Sequence, residues 1–257
     1  MAIKVKICGI TNFKDAEVAV EAGADLLGFI FYEPSPRYIR PAAVEEIVSG
    51  IKRKFPVDRS EQTAGRVRDK ANEKWQAVGE PARRAGRPAF IGVFVNASLD
   101  TVETVLDYCQ LDAVQLHGDE PPGFVRHFTN RAFKALRPKS AEVAHDLVMQ
   151  YAPEAWPSFS HRQSVYLPAL LIDAYHPTLY GGTGQVTDWT MAATIARSYP
   201  ILLAGSLTPA NVTEAMRAVR PWGVDVSSGV EMGPGKKDHA KVCEFIRVAK
   251  RAAKELP

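Results

Sequence analysis

A chain of 257 residues, 46% of them hydrophobic, is long enough to close one α/β barrel of about 250 residues around a sizeable core. Its net charge of +3 does not call for nucleic acid, no run of about 18 apolar residues offers a membrane span, and no apolar segment behind a basic cluster offers a secretory leader. Three cysteines, Cys8, Cys109 and Cys243, are too few and too scattered for a disulfide framework or a zinc site, so the expected setting is the reducing cytoplasm.

Apolar runs of strand length alternate with amphipathic stretches along the whole chain, the pattern of βα units on a parallel sheet. Strands are expected over residues 3 to 8 and 25 to 30. Asn12 marks the start of a helix between them, and Pro41 opens the next, over residues 42 to 48. Residues 52 to 89 then break the rhythm with eleven Lys or Arg against five Asp or Glu, a local charge of +6 that leaves −3 for the rest. Within this basic insertion Val67, Ala71, Trp75 and Val78 fall at helical spacing, which predicts an amphipathic helix lying on the barrel, its charged face solvated rather than bound to nucleic acid.

Further strands are expected over residues 90 to 95, 112 to 116, 131 to 136, 169 to 173, 200 to 204 and 224 to 227. Ser98 and the pair Thr208-Pro209 mark helix starts among them, and residues 152 to 163, with Pro153 and Pro157, read as a long loop. Eight strands, each followed by a helix, predict a single (βα)8 TIM barrel domain over residues 1 to 257. A doubly wound open sheet would need a glycine-rich turn after its first strand, and Cys8-Gly9-Ile10-Thr11-Asn12 is not one.

In such a barrel the residues at the C-terminal ends of strands face one shared cavity, so Cys8, Gln115, Asp173, Ser206, Asp225 and Ser227 should converge. Loops after strands seven and eight, Ala204-Gly205-Ser206 and Ser227-Ser228-Gly229-Val230, bring small residues whose backbone N–H groups suit a phosphate. Cys8 and Asp173, from strands one and six, would face each other as base and acid if their surroundings moved each pKa towards neutrality. Arg37, in a loop stiffened by Pro34 and Pro36, could clamp a substrate carboxylate with two parallel hydrogen bonds. His117 lies beside Asp119 and Glu120, but no second histidine, His176 included, stands at ligand spacing, so no metal is expected. No serine sits in a Gly-x-Ser-x-Gly elbow, which argues against triad hydrolysis.

Taken together, Lys6-Ile7-Cys8-Gly9-Ile10-Thr11, Ser35-Pro36-Arg37-Tyr38-Ile39, Val114-Gln115-Leu116-His117-Gly118-Asp119-Glu120, Gly181-Gly182-Thr183-Gly184, Leu203-Ala204-Gly205-Ser206-Leu207-Thr208-Pro209 and Asp225-Val226-Ser227-Ser228-Gly229-Val230-Glu231 closely resemble the phosphoribosylanthranilate isomerase family of tryptophan biosynthesis. The resemblance runs through nearly the whole chain, apart from residues 52 to 89 and 152 to 163. It implies a cofactor-free Amadori rearrangement of N-(5-phosphoribosyl)anthranilate, with Asp173 as general acid on the ribose ring oxygen and Cys8 as general base at C2′. It also implies Arg37 on the anthranilate carboxylate, Gln115, His117, Gly182 and Asp225 around the substrate, and Gly205, Ser206, Ser227 and Ser228 on the phosphate. The expected partner is a phosphorylated small molecule, and the protein a monomer or homodimer. Ser206 stands where the family usually has glycine, and Gln185 where lysine is common. The alternatives are the related isomerase of histidine biosynthesis, which resembles this chain in its phosphate loops but carries a carboxylate where this chain has Cys8, and a phosphate-binding barrel without catalysis.

Overall fold

A computed structural model describes residues 3–56, 67–68, 75–76, 87–128, 131–152, 167–174 and 187–256. Eight parallel strands close a barrel: β1 (Lys4–Cys8), β2 (Leu26–Ile30), β3 (Ala89–Phe94), β4 (Ala113–Leu116), β5 (Ala132–Leu136), β6 (Leu170–Ile172), β7 (Ile201–Leu203) and β8 (Gly223–Val226). Neighbours in sequence are neighbours in the barrel, and β8 closes on β1 with Lys4 opposite Gly223 and Ile7 opposite Val226. The helices are α1 (Phe13–Glu21), α2 (Pro41–Lys54), α3 (Leu99–Tyr108), α4 (Pro122–His127), α5 (Ala141–Tyr151), α6 (Trp189–Ala196), α7 (Val212–Val219) and α8 (His239–Glu255). Among the described residues no helix is long and apolar enough to cross a membrane.

Local chemistry sets the helix starts. The side chains of Asn12, Ser98, Ser140, Asp188 and Asp238 each accept a hydrogen bond from an N–H in the first turn of α1, α3, α5, α6 and α8, satisfying a group that the helix itself leaves unpaired. Pro41, which has no N–H to leave unpaired, opens α2.

The two-residue period of the strands sorts their side chains into two separate cores. Outward residues such as Val5, Ile7, Leu27, Phe29, Phe90, Val114, Leu116, Leu170, Ile172, Ile201, Leu203 and Val224 join the helices in one large apolar cluster. Leu26, Ala89, Ile91, Ala113, Phe133, Ala135, Leu171 and Leu202 form a second, smaller cluster inside the barrel. The same alternation turns Lys6 and Cys8 inward on either side of Ile7, Gln115 inward between Val114 and Leu116, and Asp225 inward between Val224 and Val226. A row of polar groups therefore lies above an apolar floor.

The helix expected in the basic insertion is not what the described residues show. Val67–Arg68 and Trp75–Gln76 pair as two antiparallel two-residue strands, with Val67 opposite Gln76 and Arg68 opposite Trp75. Val and Trp both favour strands, and four apolar positions at helical spacing are a weak sign against that preference. Ala71, Val78 and residues 153–163 of the expected long loop lie outside the described residues. The insertion joins the C-terminal end of α2 to the N-terminal end of β3, the rim opposite the strand ends that carry the polar row.

Candidate active site

Cys8, the last residue of β1, is buried, and the charged side chain that bears on it most is Lys6, two residues back on the same inward face. Lys6 is 0% exposed, and its Nζ donates to Asp225 Oδ1 at 3.0 Å on the adjoining β8. Burial alone would lower the pKa of this ammonium, but the Asp225 carboxylate and the Cys8 sulfur outweigh burial and hold it above the ordinary lysine value. Gly28 opposite Cys8 keeps the space: a side chain there would begin 2.8 Å from Cys8 Sγ and 3.1 Å from Lys6 Nζ.

Burial pushes the Cys8 thiol above its ordinary range, against the pull of Lys6, and the nearby Asp225 adds to the rise. The condition set for Cys8 as a base, a pKa moved towards neutrality, is therefore not met by these surroundings alone. Alkylation of Cys8 is therefore expected to be slow at pH 7 and to accelerate only as pH rises through a value above the ordinary thiol pKa of about 8.5. Lys6→Met should move the profile higher still. The rate of iodoacetamide inactivation against pH measures this in a Cys243→Ser background, since Cys243 is exposed whereas Cys109 is buried with its thiol pushed up to about 11. A midpoint at or below about 8.5, or no upward movement in Lys6→Met, would contradict the account.

Asp173 follows β6 and is buried across the mouth from β1; its Oδ1 accepts a hydrogen bond from the Ala174 N–H at 2.8 Å. Its Oδ2 lies 3.4 Å from His117 Nε2, close enough for an ion pair but not aligned as a hydrogen bond. The other ring nitrogen, His117 Nδ1, is 2.7 Å from Gln115 Nε2. Gln115 and His117, both buried, thus form a bridge that leads from β4 to Asp173. His176, Gly182 and Gln185 lie outside the described residues.

At the ends of β7 and β8 the backbone is shaped for close approach. Gly205 has φ +91°, and a Cβ there would stand 2.0 Å from Thr187 Oγ1, so only glycine fits. Ser206 follows in the left-handed region with φ +52°, a conformation that costs a non-glycine residue roughly 1–2 kcal/mol. Asn211 holds it there: its Nδ2 donates to the Ser206 carbonyl at 3.0 Å while its Oδ1 accepts from the Thr208 N–H at 2.7 Å. The serine at 206 is thus held in a left-handed turn by Asn211. Across the gap, Ser227 precedes a short 3₁₀ turn over Ser228–Val230, and its hydroxyl is buried without a partner among the described residues. The N–H groups of Gly205, Ser206 and Ser228 make no hydrogen bond within the described residues.

Arg37 does not wait unpaired for a substrate carboxylate. Its guanidinium already grips Glu231, with Nε 2.9 and 3.1 Å from Oε1 and Oε2 and Nη2 2.7 Å from Oε2. Glu231 also accepts from Lys237 Nζ at 2.7 Å. Asp225, expected beside a substrate, is likewise paired with Lys6. Lys6, Gly28, Glu231 and Lys237 were not singled out from the sequence. A charged residue inside an apolar strand and a glycine within another were nonetheless signals of a buried pair and a close approach.

Comparison with known proteins gives this geometry a context. Residues 57–248 match the family of N-(5'phosphoribosyl)anthranilate (PRA) isomerase. The chain is 41% identical over 251 residues to the N-(5'-phosphoribosyl)anthranilate isomerase of Geobacter metallireducens, covering 96% of this chain and 99% of that protein. It superposes on the phosphoribosyl anthranilate isomerase of Thermotoga maritima with a TM-score of 0.71 and 33% identity, covering 97% and 99% of the two chains. A phosphoribosyl anthranilate isomerase in complex with reduced 1-(o-carboxyphenylamino)-1-deoxyribulose 5-phosphate superposes with a TM-score of 0.67 and 32% identity, over the same shares. The barrel, its order of strands and its sequence together place the chain in the phosphoribosylanthranilate isomerase family.

Proposed function

We propose that this isomerase converts N-(5-phosphoribosyl)anthranilate into 1-(2-carboxyphenylamino)-1-deoxyribulose 5-phosphate, in tryptophan biosynthesis, with Cys8 as general base and Asp173 as general acid. The observation that carries the reading is that a buried thiol and a buried carboxyl stand at the C-terminal mouth of one barrel, with a turn at Gly205-Ser206 whose N–H groups make no hydrogen bond among the described residues. The phosphate would sit on the N–H groups of Gly205, Ser206 and Ser228 with the Ser227 hydroxyl. Gln115, His117 and Asp225 would line the sugar, and Arg37 would meet the anthranilate carboxylate.

The cycle starts with Asp173, as general acid, giving a proton to the ribose ring oxygen. The C1′–O bond breaks, and the nitrogen lone pair forms the C1′=N bond of a protonated Schiff base. That cation lowers the pKa of both the C2′ proton and the nearby thiol, offsetting the burial that holds Cys8 protonated. With its own proton released to solvent at the barrel mouth, the Cys8 thiolate then takes the C2′ proton, and the released electron pair makes the enolamine. Tautomerisation places a proton on C1′ and leaves the ketone at C2′, so the step is an internal transfer with no external oxidant or reductant. A carboxylate in place of Cys8 would favour the histidine-pathway reading; the thiol favours this one. The three free thiols suit a reducing cytoplasm.

Purified protein in the presence of a chelator should consume the substrate, followed as loss of anthranilate-type fluorescence. An absence of turnover, or a strict need for a divalent ion, would sink the assignment. The chain is further read as one barrel domain whose insertion, residues 52–89, is dispensable for the chemistry.

A further inference from the structure

We infer that Glu231 and Lys237 are positioning residues that aim Arg37 at the substrate's ring carboxylate, an inference that rests on the proposed role of Arg37. A guanidinium presents two edges that can each hold a carboxylate: Nε with one terminal nitrogen, and the two terminal nitrogens together. Glu231 occupies the first edge through three contacts of 2.7–3.1 Å. On the second edge Nη1 makes no hydrogen bond among the described residues, while Nη2 is shared with Glu231, whose grip fixes the direction in which that edge points.

The charge balance points the same way. Arg37, Lys237 and Glu231 form one cluster with side chains 11%, 0% and 4% exposed, and together they carry one positive charge more than they neutralise. A buried surplus of that kind is costly unless an anion completes it. A substrate carboxylate on the open edge of Arg37 is such an anion.

Local structure holds the clamp rigid. Glu231 and Lys237 sit on the two arms of a short antiparallel hairpin, Glu231–Gly233 with Lys236–Lys237. The Thr11 hydroxyl donates to the Gly235 carbonyl at its tip, and the Lys237 N–H donates to Asp15 Oδ2 at 2.9 Å. Lys237 Nζ also donates to the Ser227 carbonyl at 3.2 Å, tying the clamp to the end of β8. On the other side, the Arg37 N–H donates to Ser35 Oγ at 3.2 Å, and the Ile39 N–H donates to the Ile30 carbonyl at 3.1 Å, which fixes the loop that carries the arginine. Tethers of this kind spare the substrate the cost of ordering a long side chain.

The test compares inhibition constants of two stable product analogues, reduced 1-(2-carboxyphenylamino)-1-deoxyribulose 5-phosphate and its phenylamino counterpart without the carboxylate. Wild type should prefer the carboxylated analogue by about 10²-fold, and Arg37→Met should abolish the preference. Removing Glu231 alone strands a buried lysine, so the charge-balanced variant Glu231→Ala/Lys237→Met is used. It should reduce the preference to below about fivefold and raise KM for the substrate at least tenfold, a larger change than any in kcat. Glu231→Asp should recover part of the preference. If the double variant keeps the full preference while Arg37→Met loses it, the hairpin only supports the fold and the inference is overturned. If Arg37→Met also keeps it, the role given to Arg37 fails, and the inference falls with it.

Discussion

Cys8→Ala is expected to lower kcat by about 10²–10⁴, or roughly 2.7–5.5 kcal/mol of barrier, while KM stays within about threefold. The substitution removes one sulfur atom from a site whose shape is set by its neighbours, Gly28 and Lys6, and touches none of the groups proposed to hold phosphate or carboxylate. A loss in kcat and kcat/KM together, without a change in KM, is the signature of an interaction made only in the transition state. Cys8→Ser should not rescue the activity, because a hydroxyl is far harder to ionise than a thiol in the same buried position. Steady-state kinetics on the folded variants measures this. If Cys8→Ala keeps more than about a third of wild-type kcat, a cost under roughly 0.7 kcal/mol, the cysteine only packs the barrel mouth and the base lies elsewhere.

The barrel was legible because its strands are short apolar runs that each end on a polar or small residue, and the period of two assigns the faces once the runs are found. All eight expected strands lie within two residues of those in the structure, and Cys8, Gln115, Asp173 and Asp225 do gather at one end. What local pattern does not carry is pairing across the barrel. Arg37 and Glu231 stand 194 residues apart, and Lys6 and Asp225 219 apart, so a linear reading leaves Arg37 free to meet a substrate and gives Lys6 no partner. The structure shows each already held by a carboxylate. The insertion misleads for a different reason: four apolar residues spaced for a helix also include strand formers, and no packing contact in the sequence decides between them. The sulfur's surroundings were equally hidden. A thiol at a strand end is visible in sequence, but whether burial or a cation dominates its pKa depends on how deep Lys6 and Asp225 lie beneath it.

Asp173→Asn is expected to cost as much as removal of the base, about 10²–10⁴ in kcat, because an amide matches the carboxyl in size but cannot deliver a proton to the ribose ring oxygen. The structure makes this substitution unusually clean. Asp173 Oδ1 already has a structural task, accepting the Ala174 N–H at 2.8 Å, and the amide oxygen of asparagine can keep that bond. The fold should therefore lose little, with a change in Tm of no more than about 2–4 °C, the span of roughly 1 kcal/mol in a domain of this size. Asp173→Ala, by contrast, abandons both tasks and should lose stability as well as activity. The two roles of the aspartate thus separate: Tm follows the turn, and kcat follows the proton. His117, whose Nε2 lies 3.4 Å from Oδ2, touches Asp173 without replacing it, so His117→Ala should cost less in kcat than Asp173→Asn. Should Asp173→Asn retain more than about a third of wild-type kcat with Tm unchanged, Asp173 is a turn residue alone, and the proton for ring opening comes from another group at the barrel mouth.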